Sequence, residues 1–217
     1  MEGMGDMAEK IRPELLQFLQ PGEVPLRILV VETLSYLPEL RRMFPVAELS
    51  AAAEEADRME NPEYQGLSIR FDCVDYRSEP LPYPAEYFDY IISDLTLEQA
   101  ANPQDIAAGF STFLKQTGAF LTSFRNIRHW SVLADLMEGH YYPVVSRLYA
   151  KTEFERLLYA SFYKNVRVRP QRRPAPDDIV ERLEAAGFDN IHADLETEFW
   201  LVRADRSMPE LARSEEH

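Results

Sequence analysis

Two carboxylates, Asp94 and Glu98, follow an apolar run over residues 88–93 that predicts a buried β-strand. In an open α/β sheet, ligands bind beyond the carboxyl ends of the strands, so both side chains are placed where a substrate would lie. A carboxylate there can orient an acceptor hydroxyl or remove its proton. His129 follows a later predicted strand and is a third candidate for proton transfer. The alternatives are structural: Asp94 caps the next turn, Glu98 is solvated, and His129 is packed beside Trp130.

Two further carboxylates come directly after predicted strands. Glu32 follows the run 26–31, and Asp75 follows the alternating pattern of residues 67–73. A carboxylate at the end of a buried strand needs partners, so Glu32 is either hydrogen-bonded by the amides of its own turn or directed at a ligand. Asp75 is either a ligand contact or a turn former.

The turn after the first strand has the outline of a cofactor cradle but contains no glycine. Its residues are Glu32, Thr33, Leu34, Ser35 and Tyr36, and Ser35 and Pro38 convert the turn into a helix. Glycines normally let the backbone approach the polar end of a cofactor at such a turn and take positive φ. We therefore expect the bulky side chains to crowd this pocket.

Strand and helix patterns alternate along the chain and predict an α/β fold. The order of the segments implies right-handed crossovers and a mostly parallel sheet. Helices are expected on both faces of this sheet, and an antiparallel pair of strands closes it. The helices are predicted over residues 8–20, 38–44, 105–115, 130–137, 151–159 and 179–186, the last capped by Asp177. Strands are predicted over residues 26–31, 47–53, 67–73, 88–93, 119–123 and 166–168, with 191–195 and 199–204 as the closing pair.

Composition narrows the function classes. The 217 residues include 37 acidic and 23 basic side chains, and the net charge of −14 argues against nucleic acid as a partner. The single cysteine excludes an internal disulfide and fits a reducing compartment. No stretch is apolar enough for a membrane span, the start lacks a signal-peptide pattern, and the four histidines are too scattered for a metal site. We therefore expect a cytoplasmic protein without a bound metal.

The middle of the chain carries motifs in a recognisable order and spacing. They are Leu81-Pro82-Tyr83-Pro84, residues 87–92, Leu97-Glu98, Asn102-Pro103 and residues 114–123. This run resembles class I S-adenosylmethionine-dependent methyltransferases. Residues 126–132 and 136–142 are similar to a bacterial subgroup that is often found with glycan-assembly enzymes. The resemblance implies a Rossmann-like methyltransferase fold, S-adenosylmethionine as cofactor, and a small-molecule or glycan-linked acceptor.

The resemblance also implies roles for the strand-end residues. Glu32 and Ser35 stand in the turn that normally lies under the methionine part of the cofactor. Glu54, or its neighbour Glu55, is placed to accept from the ribose hydroxyls, and Asp75 is placed to contact the adenine amino group. Asp94 and Leu95 lie beside the cofactor, and Asp94 and Glu98 face the substrate. The chain departs from the family in the glycine-free turn, at Gln99, where relatives often have a histidine, and after Tyr141, where an acidic, histidine-containing segment is missing.

Two functions stay open on these grounds. One is a methyltransferase with an atypical cofactor cradle; the other is a methyltransferase-like binding or scaffold protein without catalysis, which Leu34 and Tyr36 favour. We predict a helical segment over residues 1–24, a methyltransferase-like domain over 25–205 and a flexible tail over 206–217. Exposed apolar surface on the first helix or on the closing strands is a candidate homodimer interface.

Overall fold

The computed structural model describes residues 11–140, 147–176 and 178–208. Within these residues, seven strands form one sheet in the order β3-β2-β1-β4-β5-β7-β6. The strands are β1 (Arg27–Val31), β2 (Glu48–Ala53), β3 (Ile69–Cys73), β4 (Phe88–Ile92), β5 (Leu114–Arg125), β6 (Asn165–Arg172) and β7 (Thr197–Asp205). The helices are α1 (Leu37–Met43), α2 (Pro103–Phe113), α3 (Trp130–Met137), α4 (Lys151–Ala160) and α5 (Ile179–Ala185).

The predicted α/β architecture is confirmed. Strands β1 to β5 pair in parallel, and β7 runs antiparallel to both β5 and β6. The switch in strand order lies at β1, which pairs with β2 on one side and β4 on the other. The carboxyl ends of β1 and β4 therefore open into one crevice, which is where open sheets bind ligands.

Helices cover both faces of the sheet. On one face, α2 and α4 contribute Phe110, Phe154 and Leu158 to a core with Phe120 and Phe124 of β5. The strand residues that alternate with these point to the other face, as the two-residue period of a strand requires. There they pack against α1 and the segment that precedes β1.

The amino-terminal segment is shorter than predicted. A helix was expected over residues 8–20, whereas the structure has a 3-10 helix over Pro13–Phe18, and residues 8–10 lie outside the described part. Pro13 stands at the first turn, where its missing N–H costs nothing. Leu15, Leu16 and Leu19 are buried in the core formed with α1, so this segment packs on the sheet.

The predicted strand over residues 191–195 is wrong. The chain forms a 3-10 segment over Ile191–Glu196, in which His192 and Ala193 both have positive φ. Two consecutive left-handed residues break the extended path that a strand needs. The antiparallel partners of β7 are β5 and β6 instead.

The prolines after residue 168 do not end β6 as expected. The strand continues to Arg172 and includes Pro170, which is opposite Trp200. Because β6 is an edge strand, proline can occupy it with its nitrogen on the unpaired side. The predicted cap of α5, Asp177, lies outside the described residues.

Candidate functional site

The crevice at the carboxyl ends of β1 to β4 holds a small polar cavity of about 200 Å³. The residues that line it come from the turns after these strands: Glu32, Thr33, Glu54, Glu55, Arg58, Tyr76, Arg77, Asp94, Thr96 and Gln99. The list includes four of the predicted site carboxylates, Glu32, Glu54, Glu55 and Asp94. Ligand pockets usually measure about 300–1,000 Å³, so this cavity lies below the common range.

Glu32 begins the turn after β1 and is satisfied by the protein itself. Its φ of 64° lies in the left-handed region that favours glycine. One carboxylate oxygen accepts from the Glu54 amide at 2.7 Å, and the other contacts Arg58 at 2.6 Å. Burial raises the pKa of Glu32, and the Glu54 amide opposes that shift. The side chain is thus bonded by the next turn and by an arginine.

Tyr36, at the end of the same turn, is fully buried. Its hydroxyl donates to Asp94 Oδ2 at 2.8 Å and accepts from the Arg12 amide at 2.9 Å. Burial and the neighbouring Asp94 charge raise the pKa of Tyr36 well above its ordinary value, so the phenol stays protonated. The ring occupies interior space beside the end of β4.

The Asp94 carboxylate is engaged on both oxygens. The Arg12 guanidinium contacts Oδ2 at 2.9 Å, beside the Tyr36 hydroxyl, and the Ser123 hydroxyl donates to Oδ1. The Asp94 amide donates to the Thr33 hydroxyl at 3.0 Å. Arg12 also lies over the Phe199 ring, 3.9 Å from its centroid. With 3% of its surface exposed, Asp94 joins the amino-terminal segment, β1, β4 and β5. We call Arg12, Tyr36, Asp94 and Ser123 the Asp94 cluster.

Glu54 and Asp75 are brought together by one arginine. Arg77 pairs with Glu54 and contacts Asp75 at 3.2 Å. The Ser78 hydroxyl also donates to Asp75, at 2.6 Å, and this bond lowers the pKa of Asp75. The two carboxylates predicted to bind ribose and adenine therefore have cationic partners within the protein.

Glu98 is a nearly buried carboxyl group that accepts from the Arg125 amide. Burial raises the pKa of Glu98 to about 7, and the Asp94 charge adds to that shift while Arg125 and Arg12 oppose it. Such a group can hold or release a proton near neutral pH. Asp94 and Glu98 are thus electrostatic neighbours.

His129 lies apart from that pair. It caps α3 by accepting from the Ser131 amide at 3.4 Å, and its ring is 5.1 Å from that of Trp130. Burial lowers the pKa of His129, which keeps the imidazole neutral. No described contact joins it to Asp94 or Glu98.

Three predicted cofactor contacts, Ser35, Asp75 and Leu95, do not line the cavity. The Ser35 side chain interacts with the Tyr64 hydroxyl. Leu95 has a φ of 57° and precedes a 3-10 turn over Thr96–Gln99. Among the described residues, no cluster of three or more histidine, cysteine or acidic side chains could hold a metal. No helix in the described ranges is long and apolar enough to cross a bilayer.

Comparisons with known proteins identify the fold. Residues 31–122 match the methyltransferase domain family. A putative methyltransferase in complex with the Trm112 activator from Haloferax volcanii superposes with a TM-score of 0.66 at 16% identity, covering 91% of this chain and 88% of that one. The chain has the class I methyltransferase fold.

Other solved structures share the fold. An S-adenosylmethionine-dependent methyltransferase from Mesorhizobium loti gives a TM-score of 0.62 at 18% identity, covering 89% of this chain and 96% of that one. The CMeT domain of the citrinin polyketide synthase gives a TM-score of 0.62 at 17% identity. The match covers 91% of this chain and 50% of that one. No curated protein matches the sequence. Residues 31–122 thus match a methyltransferase domain, and the solved structures show the shared fold.

The residues present do not fit the methionine half of S-adenosylmethionine. In methyltransferases that part of the cofactor lies against the turn after β1, where this chain has buried Tyr36 bonded to Asp94. The Arg12 guanidinium fills further space beside Asp94 and forms an ion pair with its carboxylate. Arg58 pairs with Glu32 of the same turn. Arg77 pairs with Glu54 and Asp75, the carboxylates that would bind the nucleoside.

Sequence reasoning missed the partners of the site carboxylates. Arg12 contacts a residue 82 positions away, and Ser123 reaches Asp94 from β5. No local pattern signals such long-range contacts. Arg77 follows Asp75 by two residues, which was a usable signal for an ion pair at this turn.

Proposed function

We propose that this chain is a methyltransferase-fold binding protein that does not transfer a methyl group from S-adenosylmethionine. The observation that carries the proposal is the bond between the Tyr36 hydroxyl and Asp94, in the place where the fold normally has a glycine turn. Removing Tyr36 from this position would leave the buried Asp94 with fewer hydrogen bonds, a loss of about 1–3 kcal/mol. A cofactor would have to offset that loss before it gained any contact.

The pairing of the predicted cofactor-binding carboxylates with arginines supports the same proposal. Glu32, Glu54 and Asp75 each have an arginine partner at hydrogen-bonding or ion-pair distance. A ligand that needs these carboxylates must displace Arg58 and Arg77. The setting that the resemblance of residues 126–142 implies, a glycan or cell-envelope pathway with small-molecule or glycan-linked partners, is part of this proposal.

An active methyltransferase is the second candidate, and the Asp94–Glu98 pair favours it. A carboxyl group whose pKa is near 7 at the carboxyl edge of the sheet is suited to accept a proton from an acceptor hydroxyl. The match of residues 31–122 to the methyltransferase domain adds support. This function requires Tyr36 and Arg12 to move away from Asp94.

A thermal-shift titration with S-adenosylmethionine and its demethylated product separates the two functions. A ligand at about 100 times its Kd stabilises a protein by about 2.7 kcal/mol, or about 5–10 °C in Tm for a chain of this size. We expect no shift at about 1 mM of either ligand. A shift of several degrees would contradict the proposal, and Asp75→Ala would then test the adenine contact because it should remove the shift.

A further inference from the structure

Another cavity, of about 540 Å³, lies near the β6 edge of the sheet, between β6, β7 and the start of α4. We call it the β6–β7 cavity. It shares no lining residue with the polar cavity at β1 to β4. Its volume is within the common range for small-molecule sites, about 300–1,000 Å³. A ligand could therefore occupy it whether or not the cofactor crevice is closed.

Three cations line the β6–β7 cavity in a protein whose net charge is −14. Arg128 is neutralised by Asp194 at 2.5 Å. Arg172 contacts only the His192 carbonyl, at 3.2 Å, and Lys151 contacts only the Trp200 ring among the described residues. Asp189 adds one carboxylate to the lining. Two cations without a carboxylate partner thus face one remaining acid.

The first turn of α4 adds backbone donors at the same cavity. Ala150, Lys151 and Thr152 line it, and Ala150 stands at the cap position of this ten-residue helix without a side chain that could cap it. The first amides of a helix have no partner within the helix, and the helix dipole favours an anion there. Lys151 therefore contributes both a backbone N–H and an ammonium group.

Trp200 forms part of the wall of the cavity and positions one of its cations. Its side chain is 95% buried, since 5% of its surface is exposed, and its indole nitrogen has no hydrogen-bond partner among the described residues. Buried tryptophan N–H groups usually have a partner. This nitrogen is shielded from the cavity, whereas the ring itself forms part of the wall and has Lys151 Nζ 5.1 Å from its centroid.

We propose that the β6–β7 cavity binds a small organic phosphate. Lys151, Arg172 and the first amides of α4 would hold the phosphate oxygens, because together they provide charge and several N–H donors. The non-polar part of the molecule would lie along Val168, Pro170 and Ile191, of which Ile191 is 65% exposed. The cavity is much larger than an inorganic phosphate ion, so an organic body is part of the proposal.

The test uses Trp200 as its own reporter. The chain has two tryptophans, so Trp130→Phe leaves Trp200 as the single fluorophore. In this variant we expect phenyl phosphate to cause a saturable change in emission below about 10 mM, with inorganic phosphate binding more weakly. Calorimetry of phenyl phosphate with the unaltered chain should give the same Kd and shows that Trp130→Phe has not disturbed the site.

Two test variants and one matched control each remove one positive charge. Lys151→Gln and Arg172→Gln should weaken phenyl phosphate binding about tenfold or more, since each removes a charged donor. Arg156→Gln changes the net charge equally, on an exposed position of α4 outside the cavity, and should leave the Kd unchanged. The proposal is overturned if phenyl phosphate does not bind, if it binds no better than inorganic phosphate, or if all three variants behave alike.

Discussion

At the scale of single residues, the interior of the crevice depends on Asp94, whose charge is balanced by Arg12 and by two hydroxyl donors. A buried carboxylate is stable in a protein only when its oxygens are paired in this way. The same bonds hold the Tyr36 side chain in the turn after β1, where related methyltransferases have a glycine-rich turn. The Asp94 cluster therefore links the stability of the fold to the closure of the crevice.

Tyr36→Phe tests that link. It removes the hydroxyl and leaves both the Asp94 carboxylate and the Arg12 amide with one partner fewer. We expect the free energy of unfolding to fall by about 1–3 kcal/mol, measured by urea denaturation. Tyr159→Phe, on an exposed part of α4, is the matched control and should change it by less than about 0.5 kcal/mol. Equal effects of the two variants would show that the Tyr36 bond adds nothing.

Glu98 should give the fold a pH dependence. Its folded pKa is about 7, above the ordinary value of 4.5, so the folded state holds this proton more tightly than the unfolded state does. The contribution to stability is fully present below pH 4.5 and is lost as the pH rises to about 7. Its size is on the order of 1–3 kcal/mol.

Glu98→Gln isolates this effect because the amide oxygen can still accept from the Arg125 N–H. Unfolding free energies of the two proteins are measured from pH 4 to 8. The difference between them should change between pH 4.5 and about 7 and level off above pH 7. A difference that does not vary with pH would mean that the Glu98 proton is not held by burial.

At the scale of elements, the segment before β1 is part of the core although it makes no regular α-helix. Leu15 is fully buried there, so Leu15→Ala should cost about 2–5 kcal/mol in urea unfolding. Leu136→Ala removes the same atoms from a side chain that is 47% exposed and should cost far less. Similar losses would indicate that the amino-terminal segment does not pack on the sheet.

The turn over Ile191–Glu196 shows why one predicted strand failed. Its apolar residues at 191 and 195 fit a strand pattern, but the pattern does not report that His192 and Ala193 are left-handed. Side chains other than glycine pay about 1–2 kcal/mol there. The turn is held by a local bond from the Thr197 hydroxyl to the Ala193 carbonyl at 3.1 Å and by the Asn126 side chain, which donates to the Asp194 carbonyl at 3.0 Å.

Ala193→Gly should therefore stabilise the protein by about 1 kcal/mol, because glycine takes positive φ without the clash of a Cβ atom. Ala185→Gly, at an exposed position of α5, should destabilise it by about 0.5–1 kcal/mol. The Tm values of the two variants provide the comparison. A loss of stability in Ala193→Gly would contradict the left-handed turn.

At the scale of the whole molecule, the sequence predicts the parallel part of the sheet but not the pairing of charges at the site. Apolar runs at β1, β4 and β5 predict buried parallel strands because their side chains face cores on both sides. The predicted strand ends also placed Glu32, Glu54 and Asp94, which follow β1, β2 and β4, around one crevice. Which groups neutralise them depends on contacts such as Arg12 with Asp94, which only the folded chain brings together.

Fold and chemistry are separable in this molecule. The strand order is that of the class I methyltransferases, while the turn after β1 has large side chains where that fold binds its cofactor. A shared fold therefore does not settle activity. Activity depends on whether Tyr36 and Arg12 remain bonded to Asp94 in the presence of the cofactor.

A crystal structure determined from protein grown with about 1 mM S-adenosylhomocysteine, a concentration that would saturate a micromolar site, tests this directly. We expect the Tyr36 ring in its buried position, its hydroxyl bonded to Asp94, and no nucleoside density between Glu32 and Asp75. Density for the nucleoside and its amino-acid tail over the β1 turn, with Tyr36 displaced, would contradict this expectation.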